Sequence, residues 1–181
     1  MIKEEQQLDE LIAGCKIGNG NAQEKLYRHF YRVMINLCLR YTKNDMDAMD
    51  ALNTGFYKVF KNIQWYDPEK ASLYTWIRTI VINSCLDLGR SKATIIQPSE
   101  LKDAAAAEIE PEVISKLSAA HLLEIVRLLP QATQAVFNLY IMEGYSHKEI
   151  AGLLKISEGT SKWHLSDARK KLQTMLNKEQ Y

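Results

Sequence analysis

Glycine and proline are scarce, with eight and four in 181 residues. So little turn punctuation excludes a fold built of many short strands. Cysteine is scarcer still: Cys15, Cys38 and Cys85 are an odd number, far apart and set in apolar stretches, with no CxxC and no Cys/His cluster. A disulfide framework and a zinc site are both excluded, and the three read as reduced, buried, small hydrophobes. No run approaches the ~18 apolar residues of a membrane span, and Met1-Ile2-Lys3-Glu4-Glu5-Gln6-Gln7 lacks the apolar core of a secretion signal. No membrane insertion is expected, and a cytoplasmic location is. Catalytic signatures are missing too, with no P-loop and no GxSxG. His29, His121, His147 and His164 are scattered without metal spacing. Asp45, Asp47 and Asp50 sit beside an expected helix start, where carboxylates cap and meet the helix dipole rather than collect magnesium. The chain reads as a non-enzyme with no cofactor and no metal.

What is present is a core. Hydrophobic residues make up 46% and charged residues 25%, the balance of a globular protein of one ordinary or two small domains. Apolar residues recur at helical spacing: Leu8, Leu11, Ile12 and Cys15; then Leu26, Phe30, Val33, Met34, Leu37 and Tyr41; then Ala48, Leu52, Phe56, Val59, Phe60 and Ile63. A fourth stripe, Trp76, Ile77, Ile80, Val81, Ser84, Cys85 and Leu88, is apolar over so wide an arc that it should be the most buried. Trp65-Tyr66-Asp67-Pro68 reads as a loop, because the residue before proline avoids helical dihedrals.

Periodicity fails between Arg90 and about Ser115, and charge sign changes with it. The 23 basic and 22 acidic residues give a net charge of +1 that hides a segmented pattern. Residues 25–92 carry +5, residues 93–115 carry −4 and residues 116–181 carry +3. Two basic modules, 1–92 and 116–181, are expected on either side of a flexible acidic linker, 93–115. The second module resumes helical spacing from Leu117 to Leu129, stops at Pro130, and continues with Ala135, Val136, Leu139 and Tyr140.

The most specific stretch runs from Gly144 to Thr160. Ser146 with Glu149 three residues on is a capping box opening a very short helix with Ile150, Ala151, Leu153 and Leu154 on its apolar face. Lys155-Ile156-Ser157 forms the turn, with Ser157 capping the next helix. Such spacing is that of a helix-turn-helix. In the second helix Ser161, Leu165, Ala168 and Leu172 share one face, directed at the core. Thr160, Trp163, Ser166, Asp167 and Lys170 then point outward, with Lys162, Arg169 and Lys171 on the flanks. A helix of this kind fits a major groove, its cations on phosphates and its outermost side chains at base edges.

The run from Glu143 to Leu172 resembles region 4.2 of bacterial sigma factors of the extracytoplasmic-function (ECF) group of the sigma-70 family. GerE-type regulators share part of the pattern, which leaves a dimeric helix-turn-helix regulator as the alternative on this half alone. In the first half, Asp47 to Ile63 is similar to sigma region 2.2, and Tyr74 to Arg90, with its Trp-x-x-x-Ile-x-x-Asn-x-x-x-Asp-x-x-Arg run, to regions 2.3 and 2.4. The resemblance implies an all-α chain of two small domains, a four-helix region 2 and a helix-turn-helix region 4. It implies a specificity subunit that binds core RNA polymerase and promoter DNA, and an anti-sigma partner.

Residue by residue, the resemblance implies polymerase docking by Asp47, Asp50, Asn53 and Phe56. It implies minus-ten recognition and melting by Tyr66, Lys70, Tyr74, Arg78, Asn83, Asp87 and Arg90. Minus-thirty-five recognition falls to Ser157, Thr160, Lys162, Trp163, His164, Asp167, Arg169, Lys170 and Lys171. Opening a duplex needs aromatic surface to replace lost stacking, about 1–3 kcal/mol per base, and cations for the single strand. Tyr66 and the loop after it are the expected contacts with unpaired DNA, and Trp76 is expected in the core. Two departures stand out: Asn53 and Thr54 replace the Gln and acid common in relatives, and His164 and Asp167 stand where arginine is frequent. Asp167 repels phosphate unless it accepts from a cytosine amino group.

Overall fold

Each expected stripe of the front unit forms a helix, although Val33 of the second stripe lies 49% exposed, and three of these four helices start at a side chain that caps them. The computed structural model describes residues 2–92 and 119–178; the expected acidic linker, 93–115, and the start of the second module at 116–118 lie outside the described residues. Helix α1 spans Ile2–Lys16. Helix α2, Gly20–Tyr41, starts where the Asn19 side chain accepts from the backbone N–H groups of Asn21 and Ala22. Helix α3, Asp45–Asn62, is capped the same way by Asn44, at 2.8 Å from the Asp47 nitrogen. A 3-10 turn, Ile63–Trp65, leads into a loop, and α4, Leu73–Lys92, begins where Ser72 Oγ accepts from the Thr75 N–H.

The described residues include no strand and fall into two compact units, Met1–Leu88 and Gly89–Tyr181. In the front unit the core lies between α2, α3 and α4, filled by Leu26, Met34, Leu52, Val59, Ile77 and Val81. Gly55 lets α3 approach α4: a Cβ there would stand 3.2 Å from the Val81 Cα. All three cysteines are buried and free. Cys38, beside it across α2 and α4, and burial together push the Cys85 thiol well above its ordinary range, which leaves it unreactive.

The rear unit is built from α5, Ala119–Leu128, and α6, Gln131–Phe137, separated by Pro130. Helix α6 runs on into a wider π turn, Asn138–Met142, that periodicity did not signal. Gly144, at φ +75, then reverses the chain in a conformation that favours glycine. The short α7, His147–Leu154, and the long α8, Glu158–Lys178, follow. Ile125, Val126, Leu129 and Val136 meet Ile150, Leu165, Ala168 and Leu172 in a second core. Among the described residues no helix is long and apolar enough to cross a membrane, and no group of three or more His, Cys, Asp or Glu could hold a metal ion.

Candidate nucleic-acid interface

In the rear unit the turn between α7 and α8 is built by reciprocal caps. Ser146 Oγ accepts from the Glu149 N–H, while the Glu149 carboxylate accepts from the Ser146 N–H at 2.8 Å and the Ser146 hydroxyl at 2.7 Å. These bonds hold the Glu149 carboxyl below the usual carboxylate range. At the other end Lys155 adopts a left-handed conformation, φ 57, and the Ile156 N–H donates to the Ala151 carbonyl across the turn at 3.1 Å. Ser157 Oγ then accepts from the Thr160 N–H at 2.9 Å and opens α8.

With Ser161, Leu165, Ala168 and Leu172 buried, α8 shows Lys162 fully outward and Trp163, Arg169 and Lys170 half-exposed. The Trp163 ring packs edge-on against His164, centroids 4.9 Å apart. His164 and Asp167, both expected at the DNA face, turn instead toward α6. Buried Thr133 of α6 donates from Oγ1 to the Asp167 carboxylate at 3.1 Å and lies 3.0 Å from His164 Nδ1. Asp167 also pairs with Lys171, and its side chain is only 15% exposed. Burial holds the His164 imidazole below its ordinary value, with Asp167 acting the opposite way and Lys171 adding to the depression. His164 and Asp167 stand at i and i+3 on the flank of α8 that meets α6, and Lys171, at i+7 and 40% exposed, joins that flank through Asp167. The apolar stripe locates the core but does not reveal which polar flank meets a neighbouring helix.

The front unit corrects two further expectations. Phe56 is 2% exposed and packs edge-on against Tyr27, centroids 4.7 Å apart, so it belongs to the core and not to a docking surface. Its place in the apolar stripe of α3 was the better guide. Around it Asp47 is half-exposed, while Asp50 and Asn53 are exposed, and Asn53 accepts from the Tyr27 hydroxyl at 3.0 Å. Exposed Met46, Asp50, Asn53 and Tyr57 stand at i, i+4, i+7 and i+11, one continuous outer stripe of α3.

The second correction exchanges neighbours in the loop. Tyr66 is 7% exposed: its ring lies against half-buried Trp76 at 5.4 Å and its hydroxyl donates to the Ala71 carbonyl at 3.2 Å. Trp65 is the outward aromatic, 81% exposed. In a 3-10 turn residues i and i+3 eclipse, so buried Ile63 carries Tyr66 inward and leaves Gln64 and Trp65 outside. Gln64 donates to the Lys16 carbonyl, which ties this turn to the end of α1. Lys70 is exposed but paired with Asp67 at 3.3 Å. The Glu69 N–H, followed by Lys70, holds the Asp67 carboxyl below the usual range.

Along α4, Tyr74 is exposed and Arg78 half-exposed, followed by half-exposed Asn83 and exposed Asp87 and Arg90. Asp87 pairs with Lys58 of α3 at 3.0 Å. At about 100° per residue Asn83, Asp87 and Arg90 share a face, whereas Tyr74 lies about half a turn round from Asn83. The five expected minus-ten residues of α4 therefore lie on two faces of the helix and not one, and Tyr66 lies on neither.

Known proteins resemble the chain along both units. The Sigma-70 region 2 family matches residues 26–94 and the Sigma-70 region 4 family matches residues 120–172. The ECF RNA polymerase sigma factor SigM of Mycobacterium tuberculosis is 29% identical over 169 residues, spanning 92% of this chain and 83% of its own. The ECF RNA polymerase sigma factor SigE of Mycolicibacterium smegmatis is 29% identical over 161 residues, covering 86% of this chain and 62% of its own. Among solved structures, a chain in the complex of CnrH with the cytosolic domain of CnrY has the same fold, with a TM-score of 0.50, 20% identity, and coverage of 92% of this chain and 95% of that one. A GerE-type regulator accounts for the rear match alone, and the region 2 match sets it aside. With region 2 in front, region 4 behind and ECF relatives along nearly its whole length, the chain belongs to the ECF group of the sigma-70 family and is a promoter-directing transcription initiation factor.

Proposed function

We propose that residues 1–92 dock on core RNA polymerase and open the minus-ten element, that residues 93–115 tether the two lobes, and that residues 116–181 read the minus-thirty-five element. The observation that carries the reading is the doubly capped helix-turn-helix. Its second helix turns Lys162, Trp163, Arg169 and Lys170 away from the Leu165, Ala168 and Leu172 core, as a major-groove reader requires. Lys162 and Arg169 neutralise phosphates, and Thr160, Trp163 and Lys170 approach base edges, with Ser157 at the helix start. His164, Asp167 and Lys171 act behind them, bracing α8 against α6.

In the front lobe the outer stripe of α3, Met46, Asp50, Asn53 and Tyr57, faces the polymerase with Asp47 beside it. Trp65 replaces Tyr66 as the stacking surface for unpaired bases, supported by Lys70, Tyr74 and Arg78. Asn83, Asp87 and Arg90 form the second surface, for DNA that stays paired. The factor works in the cytoplasm, where the polymerase is, and contributes specificity without a reaction of its own. The same fold is solved in complex with the cytosolic domain of CnrY, which supports a protein partner here as well, in the place of the anti-sigma factor that the resemblance implies.

Reconstitution with core polymerase and run-off transcription from a promoter library tests this reading. Initiation at a defined set of promoters is expected. Tight duplex binding by the chain alone, with no initiation on adding core polymerase, would overturn it.

A further inference from the structure

Tyr27 of α2 reaches across to the outer stripe of α3. Its ring packs edge-on against Phe56, centroids 4.7 Å apart and planes at 65°, and lies 5.7 Å from the ring of Tyr31 one turn along its own helix. Phe56 belongs to the core, so the half-buried Tyr27 ring has a fixed seat. From that seat its hydroxyl meets Asn53 Oδ1 at 3.0 Å. An amide oxygen only accepts, and the hydroxyl therefore donates.

A carboxamide carries its acceptor and its donors on the two arms of one planar group. With the oxygen of Asn53 held by Tyr27, its NH2 arm is turned away from Tyr27, at the surface of an exposed side chain. Among the described residues that nitrogen has no hydrogen-bond partner. An untethered surface asparagine rotates between orientations and presents either arm; here one arm is already used. Asn53 thus meets a partner as a donor, in a stripe where the ionised carboxylates of Asp47 and Asp50 only accept.

We propose that Tyr27 is a positioning residue for polymerase docking: its hydroxyl holds the Asn53 amide so that the NH2 group donates to an oxygen acceptor on core RNA polymerase. The inference rests on the reading of the α3 stripe as the docking face, and adds to it a residue of another helix and the polarity of one contact. Tyr27 itself stays within the chain and touches no partner. It acts by removing, before docking, rotational freedom that an exposed side chain otherwise loses on docking.

The test measures affinity of the full chain for core polymerase in Tyr27→Phe, Asn53→Ala, Asn53→Asp and the Tyr27→Phe/Asn53→Ala double variant, with urea unfolding of the front unit alongside. Tyr27→Phe keeps the ring on Phe56 and removes an exposed hydroxyl, so the unfolding midpoint stays while affinity falls about twofold to tenfold, the range of one hydrogen bond. Asn53→Ala lowers affinity at least as far. Asn53→Asp still accepts from Tyr27 but offers no NH2, and it binds no better than Asn53→Ala. In the Asn53→Ala background Tyr27→Phe costs nothing more, which separates positioning from a general loss of structure, since that loss would persist there. A Tyr27→Phe cost of equal size in both backgrounds, no cost in either, or wild-type affinity in Asn53→Asp or Asn53→Ala overturns the inference, and the docking reading stands as long as Asp50→Lys weakens binding. If Asn53→Ala and Asp50→Lys both bind as wild type does, the docking reading fails and takes the inference with it.

Discussion

Gly55→Ala places two known helix effects in opposition where α3 meets α4. In an exposed helix interior the change stabilises by about 0.5–1 kcal/mol, because glycine loses more freedom on folding. Here the added methyl would meet Val81 Cγ2 at 3.0 Å and Val81 Cα at 3.2 Å. Carbon atoms rest about 3.5–4.0 Å apart, so roughly half an ångström must be found. Val81 is β-branched and holds one preferred rotamer in a helix, and its Cα belongs to the α4 backbone. Relief therefore requires the two helices to part, at the roughly 1–3 kcal/mol of an overpacked core. The net expectation is a loss of about 1 kcal/mol. Urea unfolding followed by tryptophan fluorescence in a Trp163→Phe background reads the front unit, since Trp65 and Trp76 both lie there. In a double-mutant cycle with Val81→Ala, which removes the crowding methyl Cγ2 and leaves the α4 backbone in place, the two changes should be less than additive. Because α3 also carries Asp50 and Asn53, polymerase affinity should fall with stability. A Gly55→Ala protein as stable as wild type would show that α3 and α4 do not approach as closely as described.

Lys162→Ala should weaken promoter binding across many sequences and flatten the salt dependence by about one phosphate contact, read from log affinity against log salt; an unchanged slope removes Lys162 from the phosphates. Trp65→Ala should leave the unfolding midpoint unchanged while impairing open-complex formation on permanganate footprints, whereas Tyr66→Ala should destabilise the front unit by roughly 3–5 kcal/mol, as loss of a buried aromatic does. His164 is held below its ordinary value in the folded chain, so the unfolded chain binds protons first: stability of the rear unit is fully present above pH 6.5 and lost as pH falls through the depressed value. His164→Asn, which keeps a donor near the Nδ1 position, should reduce that acid sensitivity in chemical denaturation. Lys155→Gly should raise the midpoint of the rear unit modestly, because relief of left-handed strain, about 1–2 kcal/mol, exceeds the added chain entropy of glycine, about 0.4–1 kcal/mol.

Features that depend on neighbours within a few residues were legible before any coordinates. The Ser146–Glu149 box, the Ser157 cap and the Leu165, Ala168 and Leu172 face each follow from spacing along one helix, and each is where it was expected. The four stripes of the front unit became α1 to α4 for the same reason. Features set by a partner element were not legible. Whether Trp65 or Tyr66 turns inward depends on a 3-10 turn in place of an α turn, and whether Asp167 faces groove or protein depends on where α6 packs. Thr133, the residue that decides the second question, lies 34 positions from Asp167 in the chain and carried no sequence signal.

The π turn at Asn138–Met142 adds a final consequence. Its wide winding, with the Glu143 N–H donating to the Asn138 carbonyl at 3.0 Å, accommodates one residue more than an α-helix would. Deleting a single solvent-facing residue there, such as Ile141, would remove the extra residue and restore the tighter winding, with the turn that follows left in nearly the same phase. The wide turn thus acts as slack in the chain: one residue can be lost at this place while α7 and α8 keep their seat on the rear core, whereas the same loss inside α6 would turn them away from it.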